Sequence, residues 1–319
     1  MEASPVIRFA KRSYAILKKT LQEYSFDQIF LHAAALGFYT LFSLAPILII
    51  AVAVTGLVFG EEAARGELRL QMEDMLGAES AEAVESAVAL SRPEGSGLIS
   101  TAMGLGLLLI GATTVFHQLQ RSLNTIWSVV AKPSSSGVFL FLKSRLLSLA
   151  LVVTIGFLLL VSLVMSTAVS AFIRYGEKWV TAISDGAGSA IFPLPYVLFK
   201  GTDLAITLTV FSVLFGMIFK ILPDVHLRWR DVWKGAILTA FLFMVGEFFI
   251  SLYLSHFGPA STYGAAGSMI AVILWVYYSS LILLFGAEFV KVSYQFDGRI
   301  VEIKSTAARL RRQIIEEDE

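Results

Sequence analysis

The chain contains no cysteine. That excludes disulfides, thiolate metal sites and a cysteine nucleophile. Charge is also scarce: Asp, Glu, Lys and Arg make up 16% of the residues, against about 25% in a soluble domain. The four histidines, His32, His117, His226 and His256, lie far apart and form no HExxH-type spacing. No GxxxxGK[ST] segment is present to cradle phosphates, which argues against an ATP-driven pump. Basic and acidic residues number 25 each, so net charge says nothing about partners. The first apolar run begins near position 31 and is too long for a signal-peptide core, so no cleaved leader is expected.

What the chain has in quantity is apolar sequence. It is 56% hydrophobic, with a mean hydropathy of +0.73. The clearest stretch is 261–291. No charged residue occurs from position 265 to 285, and about 20 such residues span a hydrocarbon core as a helix. Gly264, Ala265, Ala266, Gly267 and Ser268 open it with small side chains that let a neighbouring backbone come close. Trp275, Tyr277 and Tyr278 fall mid-span, as packing surface or the wall of a cavity. Glu288 enters in its last turn.

Residues 1–30 read as a basic amphipathic helix. Val6, Phe9, Tyr14, Leu17 and Leu21 fall on one side, and Arg8, Lys11, Arg12, Lys18 and Lys19 on the other. It lies on the bilayer surface or packs on the cytoplasmic ends of the bundle. A first span follows over 32–59, with Pro46 near its middle, where a kink is expected. Tyr39, Thr40 and Ser43 add polar atoms there. Residues 60–97 carry nine acids and three bases and read as a helical outer loop. The second span, 98–116, is thinned by Gly104, Gly106 and Gly111 and is expected to continue as one helix through HQLQRSLNTIWSVV. In that extension Leu119, Leu123, Ile126, Trp127 and Val130 share a face, with His117, Gln120, Arg121 and Asn124 opposite. Further spans are expected within 138–172, 203–220, 233–256 and 261–291. The expected organisation is a cytoplasmic segment 1–30, a six-helix membrane domain 31–294 and a charged tail 295–319.

The distribution of bases sets the expected topology. With both termini in the cytoplasm, 19 of the 25 lysines and arginines fall inside, as the positive-inside rule requires. The fold class is therefore all-α: a polytopic membrane bundle of six transmembrane helices with both termini cytoplasmic.

Three stretches carry a family resemblance: AAALGFYTLFSLAP at 33–46, LQRSLNTIW at 119–127 and YGAAGSMIAVILWVYYSSLILLFGAE at 263–288. Together they resemble the YihY / virulence factor BrkB family of bacterial inner-membrane proteins, formerly called ribonuclease BN. The likeness covers nearly the whole chain, although SLAP stands here where the family pattern is SLFP. The resemblance implies a multi-pass protein of the bacterial inner membrane. Roles suggested for the family are envelope integrity, serum resistance and export of lipid-like molecules. It implies no activity that can be carried over residue by residue.

Glu247 lies 14 positions after Trp233, about 21 Å along a helix axis and so near mid-bilayer. An ionisable residue there suggests function by default. A neutral glutamic acid bonded to a neighbouring helix is the structural alternative. Glu288 falls at the cytoplasmic rim, with Arg121, Asn124 and Lys220 at similar depth. Arg121, Asn124 and Glu288, below a cavity lined by Tyr39, Trp275 and Tyr278, would form a site for an anionic headgroup. A salt bridge tying the second and sixth spans is the plainer alternative. Metal-dependent phosphodiester cleavage needs clustered carboxylates or histidines, whereas the acids here concentrate in the outer loop and the tail. No enzyme activity, cofactor, metal or nucleic-acid partner is expected.

Two functional classes remain. One is a transporter or flippase for an amphiphilic, anionic, lipid-like envelope component. Glu247, Arg121, Asn124, Glu288, Tyr39, Pro46, Trp275, Tyr278 and Lys220 are its candidate residues, and membrane lipids its partners. The other is a non-transporting envelope scaffold. Either is compatible with a homo-oligomer.

Overall fold

A computed structural model describes residues 5–60, 98–132, 193–257 and 265–310, with scattered positions between 62 and 86. The expected third span, 138–172, and most of the acidic loop lie outside the described residues. In chain order the described elements begin with helices α1 (Pro5–Phe26), α2 (Ile29–Phe59) and α3 (Leu98–Ile126) and strand β1 (Val129–Ala131). Then come α4 (Pro193–Ile221), β2 (Val225–His226), α5 (Trp229–Phe257), α6 (Ala265–Phe296), β3 (Glu302–Ile303) and β4 (Ala307–Arg309). Among the described residues, three helical stretches are long and apolar enough to cross a membrane: Leu204–Ile221, Trp229–Tyr253 and Met269–Phe296. The protein is a mostly helical membrane protein.

The centre of the bundle is α6, the helix of the last long apolar run. It packs against α1, α2, α3 and α5, while α4 packs on α5 and α3 on α2. Glycine makes the closest approaches possible. A Cβ on Gly286 of α6 would stand 1.7 Å from Thr239 Oγ1 of α5, and one on Gly235 of α5 would stand 2.2 Å from Val290 Cγ2. Neither side chain exists, so the two backbones close up and dispersion contacts replace the hydrophobic force that lipid cannot supply.

The outward side of α5 shows the inverse pattern. Ile237, Phe241, Val245, Phe248, Phe249 and Leu252 are all exposed at helical spacing. Its inward side carries buried Ala236, Thr239, Ala240 and Ile250. Large apolar side chains outside and small ones inside suit a hydrocarbon surround, since a water-facing patch of this size would be a liability.

The turns are set by local chemistry. Between α1 and α2, Gln28 takes the left-handed conformation (φ 53°) while the Asp27 N–H donates to Glu23 O at 2.8 Å. At the end of α3, Ser128 does the same (φ 52°), with Trp127 N–H donating to Leu123 O. That stops the helix at Ile126. The expectation of one helix through WSVV fails here, because Val129–Ala131 pairs antiparallel with Ala307–Arg309 instead. Pro46, by contrast, does not break α2, which runs on to Phe59.

Residues beyond α6, read from sequence only as a charged tail, form a cap on one end of the bundle. β4 pairs with β1 after α3, and β3 pairs with β2 after α4. Lys304 reinforces this: its ammonium donates to Pro223 O at 2.8 Å and Ile221 O at 3.2 Å. Arg299 forms an ion pair with Asp231 at the start of α5, and Arg12 of α1 with Asp297. The N-terminal helix and the C-terminal strands thus sit at the same end. The main core lies near this end, around Leu123, Ile126, Phe215, Phe219, Val225 and Leu284.

Candidate functional site

Four ionisable side chains meet where α1, α2 and α6 converge. Glu23 stands in the last turn of α1 and Asp27 directly after its end. Glu288 and Lys291 stand one turn apart near the end of α6. Lys291 Nζ donates to Asp27 Oδ2 at 2.8 Å and to Glu23 Oε2 at 3.2 Å. It also lies 2.8 Å from Glu288 Oε1. That third contact is an ion pair without hydrogen-bond alignment, since both Glu288 oxygens are buried with no hydrogen-bond partner among the described residues. Glu288 is fully buried, and the side chains of Lys291 and Asp27 are 6% and 4% exposed. Glu23 is shared outward, 2.6 Å from Lys19 Nζ.

Burying charges of this kind is costly unless they are paired. The count here is uneven: three carboxylates against Lys291 and the outlying Lys19. Oxygens of Glu23, Asp27 and Glu288 lie within 4.8 Å of one another, a spacing that could hold a cation. The Lys291 ammonium sits among them. Burial resists ionisation of Glu23, but the hydrogen bond from Lys19 and the charge and hydrogen bond of Lys291 outweigh it and hold its carboxyl below the ordinary value of 4.5. Tyr24, between the two α1 acids, donates its hydroxyl to Leu281 O at 3.2 Å, and burial raises its pKa. These contacts lay the end of α1 along α6.

Asn124 and Glu288, expected together, have different partners. Asn124 is buried, not on an outward polar face, because Asp224 satisfies its whole amide. Nδ2 donates to Asp224 Oδ2 and the Asp224 N–H donates to Asn124 Oδ1, both at 2.8 Å. Arg121 is exposed. Lys220 places its ammonium 4.6 Å from the ring centroid of Trp229, a cation–π contact at the cap end.

Trp275 and Tyr278 do come together. Both pack on Ile250 and Ala271, and Trp275 meets the Phe243 ring edge-on at 6.3 Å. Trp275 Nε1 is buried without an acceptor among the described residues. Glu247, half-buried, follows Gly246, where a Cβ would stand 3.0 Å from the Tyr278 hydroxyl. Tyr39 is half-buried on α2 against Phe38, ring centroids 5.6 Å apart. Nothing is described of the Pro46 side chain.

Glu23, Asp27 and Lys291 are the residues that sequence reasoning missed. The signals were local: acids at 23 and 27, and an acid and a base at 288 and 291. Nothing in one sequence joins positions 264 apart. Besides the acids concentrated in the loop and tail, a buried cluster of Glu23, Asp27 and Glu288 thus forms inside the fold.

The chain matches the family described as Virulence factor BrkB over residues 20–309. It belongs to that family. Relatives include a UPF0761 membrane protein of Tolumonas auensis, 27% identical over 60% of this chain and 56% of its own length. The chain thus spans little more than half of that relative. A UPF0761 membrane protein of Pseudoalteromonas translucida is 24% identical over 82% of this chain and 80% of its own. YfkH of Bacillus subtilis, whose name calls it ribonuclease-like, is 26% identical over 86% and 93%. No solved structure matches the chain.

Proposed function

We propose that the protein is a transporter or flippase of an anionic, lipid-like amphiphile in the bacterial inner membrane. The observation that supports this most is the buried cluster of Glu23, Asp27, Glu288 and Lys291. A structural pin needs one acid and one base. Here three acids share one buried ammonium and the outlying Lys19, and gain or loss of a proton changes how firmly α1 is held to α6. Ionisable groups this expensive are, by default, functional in a membrane protein. Glu247 and the Trp275 N–H, which has no acceptor among the described residues, supply polar groups further along the bundle.

Six spans with both ends cytoplasmic fit the described helices. The last residues of α3 and α4 both join the strand cap, and the first residues of α5 leave from it. The base count then favours the cytoplasm for that end.

The ribonuclease-like name of one relative raises the enzyme alternative. We read this chain as a non-enzyme, because Lys291 stands among the three carboxylates where a catalytic ion would have to bind. An envelope scaffold is the remaining alternative.

The test is lipid scrambling by the purified protein in liposomes carrying fluorescent anionic and zwitterionic lipids. Wild type should move the anionic probe, and folded Glu288→Gln and Glu247→Gln variants should lose that movement. No movement of any lipid by folded wild type would sink the lipid-flippase reading and favour the scaffold.

A further inference from the structure

A second site lies on the cap. Between the end of α6, the turn after α3 and strand β4 is a cavity of about 390 Å³. Its principal lining residues are Trp127, Lys291, Gln295, Arg299, Arg309 and Leu310. Three are cationic, and no acid lines the cavity among the described residues. The volume falls within the range of small-ligand sites, about 300–1,000 Å³.

The three cations are not equivalent. Lys291 is held from behind by Glu23, Asp27 and Glu288. Arg299 is paired with Asp231, and its other terminal nitrogen stands 3.9 Å from Asp297. Arg309 gives one hydrogen bond, to Val301 O at 3.1 Å, and has no carboxylate partner among the described residues. Among the described residues, then, no carboxylate offsets its charge, and one of its N–H donors is engaged. Trp127 and Leu310 provide apolar wall, and the Gln295 amide provides a neutral donor.

We propose that this cavity binds a phosphate group, with Arg309 as the principal contact and Arg299 as the second. A guanidinium presents paired donors that match two phosphate oxygens. Arg309 supplies such a fork, and Arg299, already paired with Asp231, adds positive charge beside it. The apolar wall accommodates what the phosphate is attached to. The cavity opens at the end of the bundle, where both phospholipid headgroups and soluble phosphate compounds are within reach. Lys291 borders both this cavity and the buried cluster, but phosphate binding at Arg309 does not require transport.

The experiment uses full-length protein. In detergent, inorganic phosphate and acetate are titrated by calorimetry. In nanodiscs, phosphatidylcholine alone is compared with phosphatidylcholine containing phosphatidic acid, and retained phosphatidic acid is counted by native mass spectrometry. Wild type should bind phosphate, or retain phosphatidic acid, in preference to acetate and phosphatidylcholine. Arg309→Gln should weaken this by about tenfold or more, since a hydrogen bond to a charged group is lost. Gln295→Glu, an exposed change that puts a carboxylate at the cavity, should weaken it too with the melting temperature unchanged. Phosphate binding in detergent assigns the site to a soluble ligand; phosphatidic acid retention alone assigns it to a headgroup. Neither ligand bound by wild type, acetate bound as well as phosphate, or binding unchanged in both variants would overturn the proposal.

Discussion

Lys291 Nζ donates to Asp27 Oδ2 at 2.8 Å, joining residues 264 positions apart inside the bundle. Both side chains are almost wholly buried. Of the two placements that the sequence leaves open for the N-terminal helix, this contact favours packing on the end of the bundle. It also explains why α6 continues past the apolar run: its last turns carry the base that α1 needs.

Removing that base should be severe. Lys291→Met leaves three carboxylates with no buried cation and should cost about 3–5 kcal/mol. Glu288→Gln removes the surplus charge and should be neutral or stabilising. In the double variant the loss should be clearly smaller than for Lys291→Met alone, since the residues touch and their effects do not add. Thermal unfolding in detergent would show this; strictly additive shifts would mean that the two groups do not interact.

Acid should loosen the same junction. The Glu23 carboxyl is held below its ordinary value of 4.5. Between its folded value and 4.5 the unfolded chain binds more protons at this group than the folded one. Its stabilisation is then complete above the unfolded value and fades as pH falls through the folded value. Melting temperatures recorded from about pH 6 to about pH 3 should fall less steeply in Glu23→Gln than in wild type. Parallel curves would contradict the assignment.

The glycines make a sharp comparison. Gly286→Ala places a methyl 1.7 Å from Thr239 Oγ1 and 3.0 Å from Phe219 Cζ. Gly37→Ala meets nothing nearer than 3.5 Å, at Ile273 O. The first should cost at least about 1–3 kcal/mol by overpacking, and the second should be tolerated. Equal melting temperatures would show that α5 and α6 are not in close contact.

Asn124→Ala should destabilise by about 1–3 kcal/mol, because it leaves the Asp224 N–H and carboxylate without their partner. Asn124→Asp should be worse, since it sets a second carboxylate against Asp224. If Asn124 instead served an anionic ligand, both variants would keep the wild-type melting temperature and lose only binding. Unfolding and ligand titration on the same samples separate the two.

Much of the fold was legible one segment at a time. The run at 265–285 announced α6, and the stripe of Leu119, Leu123 and Ile126 announced the buried side of α3. The side of an isolated helix that carries apolar residues can be read from spacing. Where the sequence misled, long-range pairing had overridden local preference. Val129–Ala131 continues an apolar helical pattern but is claimed by Ala307–Arg309, and Asn124 looks like a surface residue until Asp224 is placed opposite. Of the candidate residues, Glu288, Trp275 and Tyr278 fall at structured positions of the bundle, but the partners of Glu288 could not be guessed.

By itself the sequence determined the membrane class, the helical periods, the family and the segments in which the bases gather. These follow from composition and from spacing within a few turns, which each segment carries alone. Only the tertiary structure decided which charges meet. The cost of burying Glu288 is fixed by the apolar surround, but its neighbours Lys291, Asp27 and Glu23 come from both ends of the chain. Packing α1 against α6 brings them together, and that contact depends on distances between helices that no single segment encodes.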